Sequence, residues 1–202
     1  MTSLTNAAWV TIEIPVCPER LFDFLQNTER LFRLNSYLDI RKWEVISTGK
    51  QFHLQALNEM NGVSYDTLIT VESMQPGARI FLAYDRGLKR ALEITLEPGP
   101  SGSILTLREH YHAPTEEEGN LEQQLKEVDH GLVPWASSIR QYLLGLKSWA
   151  WFWPYRWYRE HFWLSMRPTH RRIAHMLILV TLAEFVVFLF VFIIYWLERT
   201  YA

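Results

Sequence analysis

The run IAHMLILVTLAEFVVFLFVFIIYWL, residues 173–197, contains only His175 and Glu184 among acidic and basic side chains. As a helix rising 1.5 Å per residue it reaches roughly 37 Å, against about 30 Å of bilayer hydrocarbon. A core helix of a water-soluble domain carries one apolar stripe, whereas this segment is apolar on every face. It is expected to be a single transmembrane helix, with Tyr195 and Trp196 in the far interface.

Flanking charge sets the expected orientation. Arg167, Arg171 and Arg172 precede the span, and only Arg199 follows it, beside Glu198. The positive-inside rule then puts the large N-terminal part in the cytoplasm, with a short tail at 198–202 beyond an inner (cytoplasmic) membrane. The opening MTSLTNAAWVTIEI has no basic n-region and no apolar h-region, so no secretory signal is expected. Cys17 is the one cysteine, which excludes an internal disulfide and a Cys-based zinc site and agrees with a cytosolic domain. With 20 basic and 22 acidic side chains and a net charge of −2, the chain lacks the basic excess of a nucleic-acid binder.

The rest of the chain reads as an α+β domain over residues 1–150. AAWVTIEIPV alternates apolar Val10, Ile12 and Ile14 with polar positions, a strand pattern. CPERLFDFLQNTERLFRLNSYL switches to helical spacing, with a break near Asn27, and predicts two short helices; Pro18 and Glu19 are helix-start chemistry. Six strands follow, RKWEVIS, QFHLQALNEM, VSYDTLITVESM, ARIFLAYD, ALEITLEPG and SILTLREHYHA, separated by turns such as Asn61-Gly62 and Pro98-Gly99-Pro100-Ser101-Gly102. Hairpin-length gaps predict an antiparallel meander with one apolar face that something must cover. From Glu116 to Trp149, Leu121, Leu125, Val128, Leu132, Trp135, Ile139, Tyr142, Leu146 and Trp149 recur at steps of three and four, predicting one long covering helix. Gly131 and Pro134 interrupt it, and a kink is expected there.

The motif Pro18-x-x-Leu21-Phe22-Asp23-x-Leu25 after a strand, together with this order of elements, resembles the START-like (SRPBCC, helix-grip) superfamily over about residues 7 to 150. It is most similar to the polyketide cyclase/dehydrase-like and coenzyme-Q-binding branches. Leu34-Asn35-Ser36 departs from the Trp-Asn-Pro-like sequence often found after the second helix. The resemblance implies an antiparallel sheet wrapped on a long C-terminal helix, with a deep cavity between them. Relatives use that cavity for lipids, sterols, quinones, polyketides or other apolar molecules, and many are carriers without catalysis.

No catalytic constellation, phosphate-binding loop, dinucleotide fingerprint or His-Glu-x-x-His metal motif is present. The chain therefore reads as a binder rather than an enzyme, with no metal or cofactor expected. In LREHYH, strand alternation puts Leu105, Leu107, Glu109 and Tyr111 on one face and His110 and His112 on the other. If the leucines face the interior, Glu109 and Tyr111 become candidate ligand contacts, either orienting a polar group of the ligand or pairing with a neighbouring side chain. Tyr65 and Tyr84 are further candidates of the same kind.

SWAWFWPYRWYREHFW, residues 148–163, holds nine aromatics, five of them Trp. Trp149 is expected to complete the covering helix and lie in the core. Pro154 suits the start of a new helix over the interfacial segment 151–172, with Tyr155, Tyr158 and Phe162 on one face and Arg156, Arg159, Glu160 and Trp163 on another. Next to a span, that pattern predicts a helix lying in the bilayer surface. Its expected lipid contacts are Trp151, Trp153, Tyr155, Trp157, Tyr158, Phe162, Arg167, Arg171 and Arg172. Glu184 lies near the bilayer midplane, where an ionised side chain costs roughly 3 kcal/mol. With Thr181 one turn back, it is either protonated and tolerated or paired with an integral membrane protein.

Two functions follow from these readings. One is a membrane-tethered START-like domain binding an apolar ligand, with membrane lipids as its other partner. The other is an accessory or assembly subunit of a larger respiratory, photosynthetic or transport complex.

Overall fold

The computed structural model of the chain describes residues 7–75, 78–112, 131–149 and 151–201. It divides into two compact units, Met1–Ser165 and Met166–Ala202.

The first unit is built on seven antiparallel strands: β1 (Ala7–Ile14), β2 (Leu38–Ser47), β3 (Gln51–Asn58), β4 (Ser64–Gln75), β5 (Arg79–Tyr84), β6 (Lys89–Gly99) and β7 (Gly102–Tyr111). Their order is β1-β7-β6-β5-β4-β3-β2, so the expected six-stranded meander is extended by β1 pairing with the last strand. Two short helices lie between β1 and β2: α1 (Pro18–Leu25) and α2 (Thr28–Arg33). Pro18 opens α1, and the Asn27 side chain accepts a hydrogen bond from the Arg30 amide at 3.0 Å, so the break between the helices is itself a cap. Four irregularities shift the strand register, near Arg41, Ile46, Glu72 and Arg90, each inserting one residue.

The helix across the sheet, α3, is described over Leu132–Ser148 with Gly131 at its N-cap. The first half of the expected long helix, residues 116–130, lies outside the described residues. Pro134 stands in the first turn of α3 as described, where its missing N–H removes no hydrogen bond within Leu132–Ser148; the expected kink involves residues 116–130 and so lies outside the described residues. Leu132, Trp135, Ile139 and Tyr142 are buried on one stripe as their spacing predicts. The Trp135 indole donates to the Leu31 carbonyl at 2.9 Å and packs on Phe32, locking α3 to α2. Arg140 and Lys147 donate to the carbonyls of Glu13 and Pro15, tying the exposed side of α3 to β1. The core between sheet and helices is formed by the inward leucines, isoleucines and phenylalanines of β1, β3–β7, α1 and α2.

The second unit is one helix, α5 (Pro168–Tyr201), after a short α4 (Trp153–Tyr158) and a single wide π-type turn, Arg159–Trp163, that close the first unit. Over Pro168–Thr200 α5 is long and apolar enough to cross a membrane, with none of its most apolar stretch buried inside the protein.

The β6–β7 hairpin approaches the β1–α1 connection closely. A Cβ on Gly102 would meet the Val16 nitrogen at 2.7 Å and Pro15 Cα at 2.8 Å, and would collide with the Ile14 carbonyl. All three are backbone atoms and cannot rotate away. Gly102→Ala is expected to cost about 1–3 kcal/mol, read as a drop in denaturation midpoint; an unchanged midpoint would mean that the hairpin can lift off β1 at no cost.

Candidate functional site

Among the described residues, the inner face of the sheet is largely apolar: Ser103 and Thr67 are buried there with their hydroxyls hydrogen-bonded, and the remaining polar side chains gather at one end. There, four strands each bring a polar side chain inward: Tyr65 at the start of β4, Tyr84 at the end of β5, Lys89 at the start of β6, and Glu109 and Tyr111 at the end of β7. Glu109 follows Leu105 and Leu107 on the inner face, all three buried, as the strand alternation predicts. Lys89 is the residue that alternation hides. It pairs directly opposite Tyr111, while Leu92 pairs opposite Glu109, so one residue of β6 is bulged between them. Counting by twos from Leu92 puts Lys89 on the outer face; the bulge at Arg90 returns it to the inner one.

The Lys89 ammonium ion-pairs with one oxygen of Glu109, and the Tyr111 hydroxyl donates to the other at 2.5 Å. A carboxylate 1 % exposed is tolerable because both its oxygens are engaged. Burial works against the Lys89 charge, but the Glu109 carboxylate, and Tyr65 after it, outweigh that and hold the ammonium above the ordinary lysine range. Lys89 also lies over the Tyr65 ring, 5.7 Å from its centroid. Burial, reinforced by the Glu109 charge and by Tyr65, pushes the Tyr84 phenol well above its usual range. Tyr84 is therefore a neutral donor throughout physiological pH. Its ring is held edge-on to Phe32 at 6.5 Å. Among the described residues, the Tyr65 and Tyr84 hydroxyls make no side-chain hydrogen bond.

All four ligand candidates read from the sequence thus gather around one buried ion pair. The arrangement offers two half-buried phenols with unspent donors beside a neutralised charge pair, at the rim of an apolar interior. On the outer face, His110 pairs with Glu93 at 3.0 Å, separated from this cluster by the sheet.

The aromatic stretch forms a second surface on the same unit. Trp151 and Trp153 are 77 % and 72 % exposed, and Trp157 and Phe162 are nearly half exposed. Trp149 departs from its expected place in the core: it caps α3, is 47 % exposed, and stacks on Trp151 at 6.2 Å. α3 ends one turn too early to turn this ring inward. Tyr155 and Tyr158 are half-buried rather than fully outward. Tyr155 packs on Trp149 at 5.7 Å, with its hydroxyl seated where a Cβ on Gly145 would be. Arg159 turns inward too, its guanidinium 4.7, 5.9 and 4.9 Å from the ring centroids of Tyr142, Tyr155 and Trp163. Tyr155 and Arg159 hold the segment to α3, and the tryptophans project from it. Arg167 and Arg172 are exposed, whereas Arg171 is buried; Thr181 and Glu184 are exposed on α5.

No protein-family model matches the chain, and no curated protein sequence matches it. Solved structures do. A START superfamily protein of Mycobacterium smegmatis aligns with a TM-score of 0.54 at 17 % identity, over 69 % of this chain and 98 % of its own. A Thermus thermophilus protein aligns with a TM-score of 0.54 at 17 % identity, over 68 % and 97 %. A Nitrosomonas europaea protein aligns with a TM-score of 0.53 at 13 % identity, over 75 % and 100 %. Nearly the whole of each is matched by about two-thirds to three-quarters of this chain. Identities this low speak to architecture alone, and the architecture is plain: the chain carries a START-like, helix-grip fold together with a long apolar C-terminal helix.

Proposed function

We propose that this chain is a membrane-tethered, non-catalytic binder of an apolar molecule, working at the cytoplasmic surface of the inner membrane. The observation that carries the reading is the polar cluster at one end of a largely apolar sheet face. Tyr65 and Tyr84 supply hydrogen-bond donors with no other side-chain partner among the described residues, and the Lys89–Glu109 pair fixes the local field. An apolar body buried against the core, with a carbonyl or similar acceptor directed at the two phenols, would satisfy both halves of the site. A quinone, a carbonyl-bearing lipid or a pigment-like molecule has that form. Glu109 and Tyr111 serve by positioning Lys89 rather than by meeting the ligand first.

The tether supports the location. One helix able to span the bilayer follows a segment that projects Trp151, Trp153 and Trp157. Indole rings favour the headgroup region, and the arginines before the span favour the cytoplasmic side. A second reading, an accessory subunit docked through its helix, is favoured by Glu184 alone. Its side chain sits exposed on a helix with no partner among the described residues.

Titrating delipidated full-length protein with apolar ligands that carry or lack a carbonyl tests the site. Tyr65→Phe and Tyr84→Phe should each weaken the carbonyl ligand about fivefold, the worth of one net hydrogen bond, and leave the hydrocarbon analogue unchanged. Equal binding of both ligands by wild type and variants would remove the reading. For the tether, lipids brominated on the acyl chain should quench wild-type fluorescence more than that of the Trp151→Phe, Trp153→Phe, Trp157→Phe triple variant; an identical quenching difference spectrum would refute contact by these rings. Under the second reading, Glu184→Leu should abolish co-purification of a membrane partner, and retention of every partner would exclude that role.

A further inference from the structure

We propose that the cleft between α2 and the wide turn after α4 binds the headgroup of a zwitterionic phospholipid, a phosphate diester joined to a primary ammonium. The proposal rests on the reading of the aromatic segment as membrane contact and adds to it a specific lipid site.

The cleft measures about 250 Å³. One wall is α2, presenting Arg30 and Arg33; the other is the turn, presenting Glu160, His161 and Ser165. Arg33 is engaged by Glu29 at 2.7 Å, one helical turn earlier. Arg30 and Glu160 are different: among the described residues neither has an oppositely charged side chain within ion-pair distance. The Arg30 guanidinium rests over the Phe24 ring at 5.4 Å, which holds it while leaving its N–H donors unspent. The walls therefore offer a cation and an anion that line one space of headgroup size, neither of them ion-paired among the described residues.

Charge complementarity selects the occupant. A phosphate takes the planar fork of Arg30, with Arg33 and His161 at its edge. An ammonium on the same molecule takes Glu160. A purely anionic headgroup would satisfy Arg30 but leave Glu160 facing negative charge. A purely cationic one would reverse the mismatch.

The cleft is joined to the aromatic band. His161, on the cleft wall, stacks on Trp157 at 5.6 Å and contacts the Trp157 carbonyl through Nδ1 at 3.1 Å. Phe162, next in sequence, is exposed and packs edge-on against Trp157 at 5.1 Å. Rings seated at headgroup depth would bring the cleft mouth to the lipid phosphates.

The test uses the full chain, delipidated in detergent, titrated by native mass spectrometry with short-chain phosphatidylethanolamine, phosphatidylglycerol of the same chains, and water-soluble glycerophosphoethanolamine. One saturable phosphatidylethanolamine is expected per chain, about tenfold tighter than phosphatidylglycerol, the worth of one charge-assisted contact. Glu160→Gln should erase that preference while retaining phosphatidylglycerol, and Arg30→Gln should weaken both lipids. Equal binding of the two lipids by wild type, or a preference surviving in Glu160→Gln, would overturn the proposal. Glycerophosphoethanolamine binding as tightly as the lipid would overturn the lipid source. Because these titrations need no bilayer, they can fail while brominated-lipid quenching succeeds, which separates this site from the membrane reading it rests on.

Discussion

A lysine and a glutamate placed inside an apolar sheet face are tolerable only as a pair. Removing either leaves a buried charge uncompensated, at a cost of roughly 3–5 kcal/mol, whereas replacing both with apolar groups is often neutral. Lys89 and Glu109 are thus weak evidence for stability and stronger evidence for use. Their geometry depends on the bulge in β6, on the pairing of β7 between β6 and β1, and on Tyr111 completing the carboxylate's hydrogen bonds. Tyr65 and Tyr84 are arranged around that pair, and the field of Glu109 helps keep the Tyr84 phenol a donor. The apolar remainder of the face supplies the surface on which a ligand's body would lie.

A second dependency runs through α3. Trp135 ties the helix to α2 at one end, and Tyr142, Gly145 and Trp149 receive Tyr155, Arg159 and the aromatic stretch at the other. One helix therefore covers the core and carries the projecting tryptophans. Arg159 turns inward to three rings, and this inward anchoring gives the segment a defined outer face.

Much of this was legible in the sequence. The period-two runs gave the strands and placed Glu109 and Tyr111 inward with the leucines. The three-and-four spacing gave the buried stripe of α3 from Leu132 to Tyr142, and continuous apolarity gave a helix long and apolar enough to cross a membrane. What escaped has physical reasons. Lys89 escaped because the strand read from ALEITLEPG begins two residues after it, and the bulge at Arg90 that returns it to the inner face leaves no mark in composition. Trp149 looked like core because the stripe's phase carries to it, but the helix stops there. Tyr155 is expected among the lipid contacts because its spacing matches Tyr158 and Phe162, but packing on Trp149 and beside Gly145 draws it toward α3.

If the inner face of this START-like fold holds an apolar molecule through Tyr65 and Tyr84, that molecule should travel with the purified protein. The most direct measurement is mass spectrometry of the organic extract from full-length protein purified in mild detergent, wild type beside a Tyr65→Phe, Tyr84→Phe double variant. One acceptor-bearing apolar species is expected, enriched over bulk membrane lipid in the wild type and depleted in the variant. Extracts of identical composition, both matching bulk lipid, would contradict it.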